Sequence, residues 1–242
     1  MDPGRYLKNI RIKNFFSDED FEWLIDIKFG DFTENNQNPD KIFFKDIDNN
    51  NKDQKVMAVY HNFPVCAEEK DLQKLKHRNT NYEKVYHILR NTFDKHFPFV
   101  KLYTINLHIL ESCKPYTIHH DFNHDNHHIA KNRAWTIIVP LETTDSHTIV
   151  FKQQPSKQES KVPGVWIDKE NPPMLNKITD NEYNKYFTHL DRNYLKYLEI
   201  DDIYKWEKNT AYAASRFNFH CSDNYVQNGF SSKKALVMWT SF

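Results

Sequence analysis

The sequence predicts one mainly β domain, a barrel or jelly roll with helices on its outside. Its 242 residues suit a single well-buried core, and β barrels of this length are commonly one domain. From residue 101 onward, short β-type segments follow one another through irregular connections, as in barrels and jelly rolls and unlike βαβ units. The two clearest helical patterns precede that point, so we expect them to pack on the outer face.

Residues 1–100 are expected to support the β core. Their predicted strands are Asn9–Ile12 and Ile42–Phe44, and their predicted helices are 15–29 and 80–96. Ser17 can cap the first helix, because acidic residues follow it in the positively polarised first turn. Apolar residues at helical spacing predict the second helix.

The core itself is predicted in residues 101–242, with one insertion at 153–202. The predicted strands are Leu102–Leu110, Tyr116–His119, Ala134–Pro140, Thr148–Lys152, Thr210–Phe217 and Lys234–Thr240. The insertion carries a predicted helix at Asp180–Leu198. An insertion of this length in a β core is typical of a lid or a functional loop.

Composition excludes several classes of protein. The 33 basic and 33 acidic side chains balance, so overall charge gives no reason to expect nucleic acid or an anionic membrane as partner. The mean hydropathy of −0.82 is low, but 15% aromatic residues favour a folded chain. Three cysteines without a CxxC pair, and a start without an apolar stretch, predict a soluble protein of the reducing cytoplasm.

Two histidines and one aspartate form the strongest candidate site. In an extended strand alternate side chains share a face, so His119 and Asp121 point the same way and His120 points away. His220, near the end of the chain, supplies a third ligand. Two histidines and one carboxylate on one face of a metal leave three positions open, which is the arrangement of non-haem Fe(II) enzymes that activate oxygen.

A simpler interpretation stays open for the same residues. The run at 119–128 is polar and rich in histidine, and such runs are usually solvated loops. Phe217, Phe219 and Trp239 are more often core residues than cofactor contacts. Arg133 and Arg216 can either contact an anionic substrate or form ordinary ion pairs, and the sequence does not decide between these two roles.

Four segments resemble the 2-oxoglutarate/Fe(II) oxygenase superfamily, in the style of its prolyl-hydroxylase-like branch. Leu107–Asp121 resembles the strand that leads into the His-x-Asp motif, with the aromatic Tyr116 three residues before His119. The other segments resemble later core strands and are Arg133–Glu142, Thr148–Phe151 and Lys233–Trp239. The resemblance covers roughly 101–152 and 203–242.

The resemblance implies a double-stranded β-helix in which His119, Asp121 and His220 hold Fe(II). It further implies O2 and 2-oxoglutarate as cosubstrates, with decarboxylation of the keto acid coupled to oxidation of an unactivated C–H bond. Asp121 then favours hydroxylation, because halogenating relatives carry a small residue in its place.

The same resemblance implies a cation for the distal carboxylate of 2-oxoglutarate. A basic residue six positions before the aromatic end of the last strand is Lys233, which shares a face with Trp239, whereas Lys234 faces outward. The longer gap after His220 leaves the choice between the two lysines open. Thr136 is expected to donate its hydroxyl to the same carboxylate.

The sequence does not distinguish between a protein side chain, an amino acid and a small metabolite as the substrate. It predicts no oligomeric state. A nucleic acid is not expected, because the arginine-rich strand of demethylating relatives is missing after His220. From another class, the chain is alternatively a non-catalytic jelly roll that binds a metal or ligand. That alternative predicts no turnover of 2-oxoglutarate.

Overall fold

The computed structural model describes residues 9–26, 54–63, 80–98, 104–121, 134–154 and 174–241. The strands in these ranges are β1 (Ile10–Ile12), β2 (Gln54–Phe63), β3 (Thr104–Ser112), β4 (Ala134–Pro140), β5 (His147–Phe151), β6 (Ile200–Lys205), β7 (Ala211–Ser215), β8 (His220–Ser222) and β9 (Lys233–Ser241). They form a major sheet of order β1-β7-β4-β9-β3-β2 and a minor sheet of order β6-β5-β8. The paired strands are antiparallel.

The chain passes repeatedly between the two sheets, as a jelly roll requires. It leaves β3 of the major sheet and adds an antiparallel bridge between His119 and His220 to the minor sheet. It then returns to the major sheet as β4 and forms β5 and β6 of the minor sheet. The last three strands, β7, β8 and β9, alternate between major, minor and major. This connectivity confirms the predicted double-stranded β-helix.

Helices cover the outer face of the major sheet. Ser17 caps α1 (Asp18–Asp26), because its Oγ accepts a hydrogen bond from the amide of Asp20 at 3.1 Å. Together with α2 (Thr80–His96), this helix buries apolar side chains against β3, β4, β7 and β9. The sheet residues in this cluster alternate along the strands and include Leu107, Ile109, Trp135, Ile137, Val139, Leu236 and Met238.

Short helical turns cover the outer face of the minor sheet. They are α3 (Asp180–Glu182), a π-helix (Tyr183–Phe187) and α4 (Arg192–Leu195). The predicted continuous helix Asp180–Leu198 is wrong, because the chain breaks after Phe187 and Asp191 caps a new turn. Phe187 and Leu195 pack with Ile149 and Phe151 of β5, so this part of the insertion is an outer layer of the fold.

Three strands of the described structure, β2, β6 and β8, are missing from the strands that the sequence predicts. β2 pairs with β3 at the edge of the major sheet, and the register of this pairing shifts twice. β6 begins at Ile200, which returns the chain to the core before the predicted end of the insertion. The predicted strand Ile42–Phe44 and residues 155–173 lie outside the described residues. Where the chain is described, its helices are too short or too polar to cross a lipid bilayer.

Candidate metal centre

A pair of main-chain hydrogen bonds brings the two candidate histidines side by side. The amide of His119 donates to the carbonyl of His220 at 3.0 Å, and the reverse bond is 2.8 Å. The two imidazole rings therefore lie next to each other, with centroids 4.2 Å apart. Asp121, two residues further along, points to the same side, as strand alternation predicts.

The ligand atoms of the three side chains converge on one point. Nε2 of His220 lies 3.3 Å from Oδ2 of Asp121, and Nε2 of His119 lies 3.8 Å from Oδ1. All three ligand atoms fall within 4.8 Å of one another. Neighbouring ligands at ~2.1 Å from one octahedral ion are roughly 3 Å apart, so modest movements suffice to place one ion between them.

Backbone carbonyls orient both imidazole rings. Nδ1 of His119 hydrogen bonds to the carbonyl of Thr117 at 2.8 Å, and Nδ1 of His220 to that of Asn218 at 3.1 Å. A carbonyl only accepts, so each Nδ1 carries a proton and donates it. The neutral form of each ring therefore turns the lone pair of Nε2 toward the shared point, which is the arrangement that metal-binding histidines need.

Two further residues fix Asp121. The hydroxyl of Thr136 donates to Oδ2 at 2.5 Å. The main-chain carbonyl of Arg216 accepts from the amide of Asp121 at 3.0 Å, while its guanidinium donates to the carbonyl of Asp121 at 2.9 Å. Arg216 thus holds the backbone of Asp121 from both directions, a structural role that its sequence position alone does not reveal.

The electrostatics of the cluster favour an anionic aspartate. Burial raises the pKa of Asp121, but the neighbouring His220 and further hydrogen bonds outweigh burial and hold this pKa well below its usual range. Burial and the neighbouring His220 lower the pKa of His119. Burial lowers the pKa of His220, but the neighbouring Asp121 outweighs burial, so the pKa of His220 is raised.

Lys233 lies inside the jelly roll, as predicted, and Lys234 lies on the opposite face of β9 with Leu236 and Met238. Only 2% of Lys233 is exposed. Its Nζ has long hydrogen bonds to neutral oxygens, 3.4 Å to Oγ of Ser146 and 3.5 Å to the carbonyl of His147.

Aromatic rings complete the surroundings of this ammonium. The rings of Trp206 and Tyr225 lie 4.1 and 5.0 Å from Nζ of Lys233, within the range of cation–π attraction. Burial lowers the pKa of Lys233 to about 8, although Asp223 acts in the opposite direction. None of the carboxylates in the described residues forms an ion pair with Lys233.

The sequence predicts that Thr136 and Lys233 contact the same carboxylate of 2-oxoglutarate. The register of the sheet shows that this prediction is wrong for Thr136. Thr136 lies opposite Trp239 of β9, six residues from Lys233. At ~3.3 Å per residue this is roughly 20 Å along the strand, too far for one carboxylate to contact both residues. The Thr136 hydroxyl instead orients Asp121.

Several residues of the region carry no recognisable signal in the sequence. Trp206, Tyr225 and Ser146 come from three different connections, and only the fold brings them to Lys233.

His120 lies beside Phe219, with ring centroids 5.7 Å apart. The histidines at 124, 127 and 128 and the arginine at 133 lie outside the described residues.

Comparisons with known proteins give matches among solved structures only. No protein-family model and no curated protein matches the sequence. One similar structure is a Pseudomonas putida prolyl-4-hydroxylase, with 10% identity, a TM-score of 0.41 and coverage of 99% of this chain and 95% of that chain.

Two further similar structures are of non-heme alpha ketoglutarate dependent enzymes. They are the epimerase SnoN in complex with Fe3+, alpha ketoglutarate and nogalamycin RO, and the alpha ketoglutarate dependent carbocyclase SnoK. Both are 8% identical to this chain, with TM-scores of 0.41 and 0.42. The match with SnoN covers 96% of this chain and 78% of that chain, and the match with SnoK covers 98% and 81%. The jelly roll described above follows from strand order and register, independently of these likenesses.

Proposed function

We propose that this chain is a non-haem Fe(II) oxygenase that couples decarboxylation of 2-oxoglutarate to hydroxylation of a C–H bond. The observation that carries the proposal is the convergence of His119, Asp121 and His220 inside a jelly roll. A buried ammonium from the last strand, Lys233, lies further along the same interior. The expected partners are a small molecule or a peptide segment in the cytoplasm, with no membrane or nucleic acid involved.

The donor set fits iron. Two neutral imidazole nitrogens and one carboxylate oxygen occupy one side of the site, which is the ligand set of non-haem Fe(II) oxygenases. The bonds from Nδ1 of His119 and His220 to carbonyls keep each Nε2 available. A ligating histidine is neutral, so a metal ion would compete with protons for Nε2 of each ring.

The surroundings of Lys233 fit the distal carboxylate of 2-oxoglutarate. Among the described residues, Lys233 contacts neutral oxygens and aromatic rings and has no ion pair. Burying such an ammonium is costly, and an anion beside it removes much of that cost. Oγ of Ser146 supplies a second polar contact at the same place.

The spacing between the two places also fits this cosubstrate. His220 lies opposite Val150, and the carbonyl near Lys233 belongs to His147, three residues back along β5. Three residues of a strand span ~10 Å. An extended five-carbon dicarboxylate covers such a span when it is coordinated at one end and hydrogen bonded at the other.

Each described residue then has a defined task. Bound Fe(II) and 2-oxoglutarate together supply the oxidising power for C–H cleavage. His119 and His220 hold the metal in fixed ring orientations, while Thr136 and Arg216 keep Asp121 in place. Lys233 anchors the distal end of the cosubstrate. Asp121 fills a metal position with a carboxylate, which favours hydroxylation over halogenation.

One anaerobic titration tests the proposal. Fe(II) followed by 2-oxoglutarate should produce a visible metal-to-ligand charge-transfer band, and oxygen should then produce succinate at a slow rate even without substrate. Tight metal binding without the band or succinate would support the non-catalytic jelly roll instead. His87→Ala, on the exposed side of α2, is a matched control that should behave as the native protein does.

A further inference from the structure

A second cavity lies on the outer face of the minor sheet, away from the metal ligands. Its volume is about 360 Å³, and we name it the outer cavity. The residues that line it are Asp145, His147, Lys185, Tyr186, Lys205 and Asn228. They come from the start of β5, the end of β6, the π-helix and the connection between β8 and β9. The main-chain carbonyl of His147 also contacts Lys233 of the proposed oxygenase site, whereas the other five lining residues have no part in that site.

A buried carboxylate fixes the imidazole at the floor of the outer cavity. Nδ1 of His147 lies 2.9 Å from Oδ2 of Asp223, whose residue is fully buried. The other oxygen, Oδ1, has no hydrogen-bond partner in the described part of the chain. Tyr186 packs edge-on against the same ring, with centroids 5.2 Å apart. The ring is therefore held rigidly, and 13% of the side chain remains exposed.

Positive charge predominates around the outer cavity. Lys185 and Lys205 line its wall, and Asp145 lies 3.2 Å from Nζ of Lys205 and also attracts Lys185. Behind the floor, the ammonium of Lys233 lies 3.5 Å from the carbonyl of His147. Among the lining residues the two ammonium groups exceed the one carboxylate of Asp145, while the buried Lys233 and Asp223 behind the floor offset each other.

We propose that the outer cavity binds a phosphate group, either as inorganic phosphate or as part of a small phosphate monoester. Two lysines offer several N–H donors from a short arc of surface, and lysine binds phosphate as a point charge. The volume lies within the range of small-ligand sites and exceeds what one phosphate needs, which leaves room for a small organic part. The alternative is that the His147–Asp223 pair only ties β5 to the connection after β8.

Calorimetric titration of the metal-free full chain with inorganic phosphate, at constant ionic strength, tests this proposal. We expect saturable binding with a Kd of about 1 mM, in a range typical of a small anion held by a few charged donors. Lys185→Glu and Lys205→Glu should each weaken binding about tenfold or more. Lys177→Glu is the matched control, because Lys177 is an exposed lysine before the same helical turns that does not line the cavity, and it should change the Kd less than twofold.

A parallel titration with glycerol phosphate distinguishes the two sources of the phosphate group. Tighter binding of the ester indicates a phosphorylated metabolite, and equal or tighter binding of inorganic phosphate indicates the free ion. Absence of saturable binding overturns the proposal. So does equal weakening by all three variants, which would indicate diffuse surface charge, or full binding in both Lys185→Glu and Lys205→Glu.

Discussion

His119, Asp121 and His220 depend on one another through short contacts, and each has its own link to the backbone. Replacing His119 or His220 by alanine removes one metal ligand but leaves the reciprocal main-chain bonds between these two residues intact. We therefore expect loss of Fe(II) binding and of iron-dependent turnover, while the circular dichroism spectrum stays that of the native protein. Full turnover in either variant would contradict the assignment of the site.

Lys233 and Lys234 differ in the face of β9 that they occupy, and their alanine or methionine variants separate the two roles. Lys233→Met leaves the distal carboxylate of 2-oxoglutarate without a cation, a loss of roughly 2–5 kcal/mol for one member of such a pair. The Kd for 2-oxoglutarate should rise by about one to three orders of magnitude. Lys234→Met is the control and should change this Kd little. The opposite ranking would require that the anchor lie elsewhere.

The same lysine predicts how cosubstrate binding varies with pH. Burial lowers the pKa of Lys233 to about 8, so the ammonium loses its proton as pH rises through that value. We expect the affinity for 2-oxoglutarate to fall above about pH 8, approaching tenfold per pH unit at the steepest. Lys233→Arg keeps its charge over this range, so its affinity should stay level with pH. An identical decline in both proteins would exclude Lys233 as the cause.

In the protein without ligands, the free energy of unfolding should also depend on pH through the protonation of Lys233. Because the pKa of Lys233 is lower in the folded chain than its ordinary 10.5, the unfolded chain binds more protons between about pH 8 and 10.5. The contribution of this group therefore makes the native protein more stable as pH rises through that window. Urea titrations of the native protein and Lys233→Met measure the difference, and the variant should lack this contribution.

At the level of single residues, the sequence predicts the three residues that converge, His119, Asp121 and His220, but not the groups that support them. Strand alternation places His119 and Asp121 on one face from their spacing alone. The hydroxyl of Thr136 is misjudged because its partner depends on the register of β4 against β9, which local sequence does not determine. Arg216 and Trp206 act through long-range contacts that exist only in the folded chain.

The helical turns that cover the minor sheet are part of the core, because their apolar side chains pack with those of β5. Phe187 is fully buried against β5, whereas Tyr194 in the same layer is 39% exposed. Phe187→Ala should lower the free energy of unfolding by roughly 3–5 kcal/mol. Tyr194→Ala is the matched control and should change it by roughly 0.5 kcal/mol or less. A small effect of Phe187→Ala in urea unfolding would instead mark the layer as a loosely attached lid.

Elements with clear periodicity are predictable here, and elements shaped by their neighbours are not. The helix at 80–96 and the strand Ala134–Pro140 appear with the predicted bounds. β6, with the polar sequence Ile200–Lys205, is a strand because β5 pairs with it, and its sequence shows little strand character of its own. The break after Phe187 depends on packing against the minor sheet, which overrides helix propensity.

At the scale of the whole molecule, the metal centre joins the two sheets. Asp121 and His220 belong to the minor-sheet side, and Thr136 reaches Asp121 from β4 of the major sheet. At the other end of the interior, Lys233 of β9 contacts Ser146 beside β5. The two proposed ligand sites therefore lie between the sheets, at places that only the folded chain assembles.

Ligand binding between the sheets should stabilise the entire fold. A ligand that binds only the folded chain, present at 100 times its Kd, adds about 2.7 kcal/mol. For a chain of this length each kcal/mol raises the Tm by roughly 2–4 °C, so Fe(II) at that excess should raise the Tm by about 5–11 °C. Anaerobic calorimetry measures this shift, and Asp121→Ala should abolish it. Adding 2-oxoglutarate should raise the Tm further in the native protein but much less in Lys233→Met. A Tm that responds equally in both would place the cosubstrate away from Lys233 while leaving the metal centre intact.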